Sequence, residues 1–179
     1  MTTVKIVVTG PESSGKTTLA KQLAATLEVP WVPEYARMYL ENINRPYTRE
    51  DLKVIAEGQQ ALESGVLEQH PPLIICDTDL LTIKIWSEVK YGSVDQSIHT
   101  DWLGDRVTGY LLCVPDIPWE DDPQRENPFD RDSIFNLYHT ALTNAGKPFH
   151  LIKGTGERDR LIQSLEYIAR WLDADAVTS

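Results

Sequence analysis

The sequence has few cysteines and no long apolar run. Only two cysteines occur in its 179 residues, and both lie in short apolar segments, where a cysteine is usually a small buried hydrophobic residue. No segment approaches the ~20 consecutive apolar residues of a membrane span, and no signal-peptide pattern precedes the first predicted strand. The four histidines lack the spacing of metal ligands. These absences argue against a disulfide scaffold and predict a cytoplasmic protein in a reducing compartment.

Positively charged residues are also scarce. The sequence has 17 Lys and Arg residues against 27 Asp and Glu residues, so its net charge is −10. A surface with this charge repels the phosphodiester backbone of nucleic acids and anionic lipid headgroups. The composition therefore favours a small-molecule substrate over a nucleic acid or a membrane. It leaves the oligomeric state open.

Strand patterns alternate with helix patterns along the chain. This alternation predicts one α/β domain over residues 1–179, with three layers around a central parallel sheet of about five strands. The predicted strands are 4–9, 31–33, 73–76, 110–114 and 149–152. The predicted helices are 16–27, 34–42, 51–67, 80–91, 133–144 and a final one that carries Leu161, Leu165, Ile168 and Leu172 on one stripe. In such a sheet, ligands bind beyond the carboxyl ends of the strands.

A phosphate-binding loop follows the first predicted strand and opens the first predicted helix. Residues 10–17 match the pattern G-x-x-x-x-G-K-[ST], whose backbone N–H groups surround phosphate oxygens. Lys16 is expected to contact the β- and γ-phosphates, and the Thr17 hydroxyl is expected to bind Mg²⁺. No Asn-Lys-x-Asp guanine motif occurs. The candidate nucleotide-binding residues of the loop are Gly10, Glu12, Ser13, Ser14, Gly15, Lys16, Thr17 and Thr18.

A second acidic motif ends the third predicted strand, where an apolar run leads into Asp77. This is the Walker B pattern, so Asp77 is expected to bind Mg²⁺ with Thr17. Mechanical ATPases place a second carboxylate next, whereas Thr78 stands here, which favours transfer to a bound acceptor over hydrolysis. Asp79 has two possible roles, as a helix cap or as a catalytic group that binds substrate hydroxyls.

Glu34 ends the second predicted strand, where small-molecule kinases of this architecture place the carboxylate that orients or deprotonates the acceptor hydroxyl. Arg37 lies one helical turn further on, so a surface ion pair between the two is the alternative. Aromatic residues also lie near the strand ends, and Trp86 could equally belong to the core. The candidate substrate-binding residues are Glu34, Tyr35, Arg37, Asp79, Trp86, Trp119 and Asp122.

Residues 116–131 are rich in proline, carboxylates and arginine, too polar for a core and too long for a simple turn. We expect a mobile lid in which Arg125 acts catalytically on the charge that develops on the transferred phosphate, and Arg131 contacts the nucleotide. A solvated loop with its own ion pairs is the alternative. Arg158 follows a glycine-bearing loop after the last strand and is a further candidate for nucleotide binding.

Taken together, these motifs resemble the ribosylnicotinamide kinase domain of NadR-type proteins, which are P-loop NTPases. The resemblance covers nearly the whole chain and rests on five segments in the expected order: 10–17, 33–37, 77–80, 86–92 and 118–125. It implies a nucleotide kinase-like fold and a kinase that uses ATP and Mg²⁺ to phosphorylate the 5′-hydroxyl of nicotinamide riboside for NAD biosynthesis. The adenylyltransferase motif and helix-turn-helix of longer relatives do not occur in the sequence, so we expect a stand-alone kinase.

Two other functions are consistent with the same motifs. The same loop, Asp77 and Arg125 would serve a kinase of another nucleoside or small polyol. A nucleotide-dependent ATPase or switch, whose lid segment binds a protein partner, would also carry the loop. An acceptor-dependent reaction distinguishes the kinases from the switch.

Overall fold

The computed structural model describes residues 3–121 and 130–178. In that part of the chain the strands are β1 (Val4–Thr9), β2 (Trp31–Val32), β3 (Leu73–Asp77), β4 (Gly109–Cys113) and β5 (Phe149–Ile152). The helices are α1 (Lys16–Leu27), α2 (Tyr35–Asn42), α3 (Arg49–Leu67), α4 (Leu80–Tyr91), α5 (Gln96–Gly104), α6 (Arg131–Asn144) and α7 (Glu157–Thr178). None of the helices described here combines the length and apolar composition needed to cross a bilayer.

The five strands form one parallel sheet in the order β2-β3-β1-β4-β5. Because β1 and β3 are neighbours, the phosphate-binding loop after β1 lies beside the end of β3, and Val8 pairs in register with Asp77. The end of β2 lies on the other side of β3. The strand order therefore brings three of the predicted polar segments to one edge of the sheet.

Helices cover both faces of the sheet. On one face, Leu19 and Leu23 of α1 and Ile168 of α7 pack against β1. On the other, buried residues of α3, α4, α5 and α6 form a larger core that includes Ile55 and Trp102. These two cores confirm the predicted three-layer α/β architecture.

Helix α5 was not predicted, because only one short apolar stripe marks it. Ile98 and Trp102, four residues apart, are its buried residues. Its start is capped by Asp95, whose Oδ1 accepts a hydrogen bond from the Ser97 N–H at 2.8 Å. Helix α6 begins at Arg131, two residues before the predicted start, so the predicted lid segment ends where α6 begins.

Helix α3 begins two residues before the predicted start, at a capping box formed by Thr48 and Asp51. Asp51 also accepts a hydrogen bond from the Tyr39 hydroxyl at 2.7 Å. Because Tyr39 lies on α2, this contact fixes α2 against α3. Helix α2 directly follows Glu34, so α3 supports the segment that carries this candidate catalytic residue.

Candidate active site

The phosphate-binding loop is held tightly against the end of β4. Gly10 has a φ of 141°, and a Cβ on it would lie 2.7 Å from the carbonyl oxygen of Cys113, so a side chain is excluded there. Lys16 donates a hydrogen bond from Nζ to the carbonyl oxygen of Pro11 at 2.7 Å, within its own loop. The lysine therefore lies over the space that the loop encloses.

Arg160 is a residue of this site that the sequence did not reveal. Its side chain is only 2% exposed, and it donates hydrogen bonds to the carbonyl oxygens of Ser14 at 2.6 Å and Gly154 at 3.1 Å. Arg158, the predicted residue, is exposed and does not line the cavity beside the loop. The first turn of α7 thus presents Arg160 to the phosphate loop, two positions beyond the predicted arginine.

Asp77 fits a magnesium site together with Thr17. Its carboxylate is 1% exposed, and its Oδ1 has no hydrogen-bond partner in the described chain. Burial raises the pKa of Asp77, while a hydrogen bond from Thr17 opposes this rise. No cluster of three His, Cys, Asp or Glu residues suited to a metal occurs among the described residues. A cation here would therefore depend on Asp77, Thr17 and ligands from nucleotide and water.

Asp79 is buried at the start of α4. Both of its oxygens have structural partners: Oδ1 accepts from the Leu81 N–H at 3.0 Å, and Oδ2 accepts from the Tyr110 hydroxyl at 2.7 Å. The carboxylate is 1% exposed and lines neither cavity described below. These contacts favour the alternative role of Asp79, helix capping.

Glu34 lies half-buried beside the phosphate loop. Burial raises its pKa to about 7, Lys16 and Arg37 lower it, and Asp77 raises it further. Arg37 forms an ion pair with Glu41 at 3.8 Å, and its charge also acts on Glu34. Glu34 thus has a protonation equilibrium near neutral pH, as a general base requires.

A cavity of about 240 Å³ lies on the phosphate loop. Residues of the loop and α1 line it together with Glu34, Arg37, Trp86, Ile117, Glu120, Glu157 and Arg160. The predicted residues that this cavity brings together are Glu12, Ser13, Ser14, Gly15, Lys16, Thr17, Thr18, Glu34, Arg37 and Trp86.

A second cavity, of about 320 Å³, adjoins the first and shares Glu12 and Trp86 with it. The rings of Tyr47, Trp86 and Tyr138 line it. The Lys90 ammonium also lines it and lies 3.4 Å from the centroid of the Tyr47 ring. Tyr47 and Tyr138 are not recognisable from sequence, because Tyr47 lies in the loop between α2 and α3 and Tyr138 on α6, which only the fold brings together.

Three further predicted residues lie outside both cavities. The ring of Tyr35 packs on Gly58 of α3, and the Trp119 indole N–H donates to Asp121 at 2.9 Å. Arg131 donates to the carbonyl oxygens of Ser13 at 3.1 Å and Ile117 at 2.7 Å, which ties residue 117 to the phosphate loop. Asp122 and Arg125 lie outside the described residues.

The sequence matches one known protein family over most of its length. A family model described as an AAA domain matches residues 5–160. No curated protein matches the sequence significantly.

Solved structures share the fold at low sequence identity. Two NadR protein structures, one in complex with NR and one with NAD and AMP-PNP, are 20% and 19% identical, with TM-scores of 0.76 and 0.74. Each is matched over 95% of this chain, which spans about half of the NadR chains (52% and 49%). Thymidylate kinase from Ehrlichia chaffeensis is 16% identical with a TM-score of 0.67, over 94% of this chain and 100% of its own. Deoxyadenosine kinase from M. mycoides is 14% identical with a TM-score of 0.59, over 93% and 100%. The nucleotide kinase-like P-loop fold and its resemblance to NadR are thereby confirmed.

Proposed function

The chain belongs to the AAA domain family, and from this premise we propose that it is a kinase that transfers the γ-phosphate of ATP to the 5′-hydroxyl of nicotinamide riboside. The product is nicotinamide mononucleotide, a precursor in NAD biosynthesis. The observation that carries the proposal is the pair of adjoining cavities that share Glu12 and Trp86. The first cavity lies on the phosphate loop, and the second is lined by aromatic rings. Phosphoryl transfer between two bound substrates needs two such neighbouring binding sites.

The first cavity suits the triphosphate of ATP. Backbone N–H groups of residues 10–17 can surround the phosphate oxygens at the start of α1, where the helix dipole favours negative charge. Lys16, held over the loop by the Pro11 carbonyl, can exchange that contact for the γ-phosphate. Mg²⁺ bound by Asp77 and Thr17 would neutralise charge on the phosphates. Arg160 fixes the loop through the Ser14 carbonyl.

Glu34 is the candidate base for the acceptor hydroxyl. It lines the first cavity, which shares Trp86 with the second, and this supports an approach of the acceptor to its carboxylate from the second cavity. With a pKa of about 7, Glu34 is partly deprotonated at neutral pH and can accept the hydroxyl proton.

The second cavity suits the nicotinamide ring. Nicotinamide riboside carries a pyridinium cation, which aromatic faces and a nearby carboxylate attract. Trp86 and Tyr47 supply rings, and Glu12 supplies the carboxylate. The NadR structure in complex with NR supports the proposed acceptor only through its similar fold.

Lys90 favours a second candidate acceptor. An ammonium group in the aromatic cavity can pair with an anionic substituent on the acceptor. A pyridine riboside that carries a ring carboxylate in place of the carboxamide offers both the cation and the anion. That compound is therefore the acceptor to compare first with nicotinamide riboside.

Substitution of Trp86 tests the acceptor cavity. Trp86→Leu removes a ring worth about 1 kcal/mol or more toward a desolvated cation, so the KM for nicotinamide riboside should rise roughly 10-fold. Trp86→Phe keeps an aromatic face and should raise it much less. Affinity for a non-hydrolysable ATP analogue without acceptor should change less than about 2-fold in both, since the loop supplies the triphosphate contacts. Equal acceptor KM values for Trp86→Leu and wild type would contradict this assignment.

A further inference from the structure

Helix α3 contacts the Glu34 segment through Gln59. This side chain is 2% exposed. Its Oε1 accepts a hydrogen bond from the Tyr35 N–H at 2.9 Å, and its Nε2 donates to the carbonyl oxygen of Pro33 at 3.4 Å. One carboxamide therefore binds the main chain on both sides of Glu34.

The residue before Gln59 makes this approach possible. Gly58 contacts the Tyr35 ring so closely that a Cβ at position 58 would overlap it. The absence of a side chain lets α3 come close enough for Gln59 to reach residues 33 and 35. Gly58 and Gln59 thus both contact the segment that carries Glu34, Gly58 through the Tyr35 ring and Gln59 through the main chain.

We propose that Gln59 is a positioning residue for phosphoryl transfer, which holds the main chain at residues 33 and 35 and so directs the Glu34 carboxylate toward the acceptor hydroxyl. The inference rests on the proposed function for the role of Glu34. The hydrogen bonds themselves do not depend on it.

The orientation of the Gln59 carboxamide is set from deeper in the core. Nε2 also donates to Oε1 of Glu63 at 3.4 Å. Glu63 in turn accepts a hydrogen bond from the buried Lys5, which donates to Asp105 at 2.6 Å. Since a carboxylate accepts only, the amide nitrogen of Gln59 faces Glu63, and its oxygen faces the Tyr35 N–H. The network therefore fixes that the amide oxygen of Gln59 binds the Tyr35 N–H and its nitrogen binds the Pro33 carbonyl.

The pKa of Glu34 reports its position. Burial raises this pKa, and the charged groups that face Glu34 act in both directions: Lys16 and Arg37 lower it, and Asp77 and Glu12 raise it. A carboxylate released toward solvent loses the burial effect, so its pKa should fall from about 7 toward 4.5, the ordinary value.

The test compares Gln59→Met with Gln60→Met. Gln59→Met keeps the length of the side chain and removes the amide. Gln60, the next residue of α3, bonds Asp101 at 3.4 Å on the exposed side and does not touch the Glu34 segment. The carboxyl ¹³C shift of Glu34, assigned with Glu34→Gln, is titrated in the protein without substrate. Turnover is measured with ATP, Mg²⁺ and nicotinamide riboside.

We expect the Glu34 pKa to fall by at least about one unit in Gln59→Met and to stay near 7 in wild type and Gln60→Met. Turnover should fall roughly 10- to 100-fold in Gln59→Met with little change in nucleotide affinity, the size of loss that a small misplacement of a catalytic group causes. If Gln59→Met does not fold, Gln59→Asn replaces it, because its shorter side chain cannot span both peptide groups.

A folded Gln59 variant with the wild-type Glu34 titration and wild-type turnover would overturn the inference, as would equal changes in Gln60→Met. Wild-type protein that titrates as expected but does not phosphorylate any riboside would count against the proposed function alone. The titration distinguishes the two failures, since it needs no acceptor.

Discussion

Asp77 and Asp79 stand two residues apart at the end of β3, and their carboxylates have different surroundings. Asp77 lies beside Thr17 with an unpartnered Oδ1, whereas both oxygens of Asp79 are hydrogen-bonded in the core. Thr78 between them has a φ of 67°, a left-handed conformation that is strained for a β-branched residue. Sequence reasoning could not separate the two roles, because the partner of Asp79 is Tyr110, 31 residues away.

Replacement of Asp79 should affect stability rather than catalysis. Asp79→Ala removes a helix cap and the acceptor of a buried hydroxyl, so the free energy of unfolding should fall by about 2–3 kcal/mol. Asp95→Ala removes the exposed cap of α5 and should cost less. Urea unfolding measures both losses. A raised KM for acceptor in folded Asp79→Ala, without loss of stability, would restore the substrate-binding role.

Glu34→Gln should remove the base while keeping the size of the side chain. We expect kcat to fall roughly 100-fold or more. In wild type, kcat/KM for the acceptor should rise with pH through about 7, because Glu34 acts only after it loses its proton. The variant should lack this rise. Glu57→Gln, an exposed change on α3, is the control and should keep both the rate and the pH profile.

At the scale of elements, α3 illustrates what local pattern reveals and what it does not. The Thr48 capping box is a local pattern that predicts the start of the helix from sequence. The support of Glu34 by Gly58 and Gln59 could not be predicted, because a glycine and a glutamine within a helix carry no signal of their own. Their role arises only when α2 packs against them.

Gly58→Ala and Gly65→Ala should change stability in opposite directions. Alanine is favoured over glycine in a helix interior by about 1 kcal/mol. At Gly65 nothing lies within 4 Å of the new Cβ, so Gly65→Ala should stabilise the protein by about 0.5–1 kcal/mol. At Gly58 the Cβ overlaps the Tyr35 ring, so Gly58→Ala should destabilise it by about 1–3 kcal/mol. Both changes are measured by thermal unfolding. If Gly58→Ala stabilised the protein as much as Gly65→Ala, the Tyr35 ring would have to move away without cost, which would contradict this prediction.

At the scale of the whole molecule, the alternation of strand and helix patterns was sufficient to predict the parallel sheet and its two helical layers. The rule that ligands bind at the carboxyl ends of the strands then pointed to the candidate site, since Lys16 and Glu34 follow strands and Asp77 ends one. The second cavity was not predictable, because Tyr47, in the loop before α3, and Tyr138 of α6 lie 91 residues apart and line the same cavity only in the folded chain. Arg160 likewise depends on how α7 approaches the loop.

The central claim is transfer of phosphate to a pyridine riboside, and an acceptor panel tests it most directly. Purified protein with ATP and Mg²⁺ is given nicotinamide riboside, its ring-carboxylate analogue, ordinary nucleosides or water alone, and ADP and phosphorylated products are quantified. Lys16→Ala, which lacks the phosphate-loop ammonium, controls for contaminating kinases. We predict that nicotinamide riboside gives nicotinamide mononucleotide in equal amount to ADP, with kcat/KM at least about 10-fold above ordinary nucleosides. ADP formation at the same rate with water alone, or preferential phosphorylation of an ordinary nucleoside, would contradict the account.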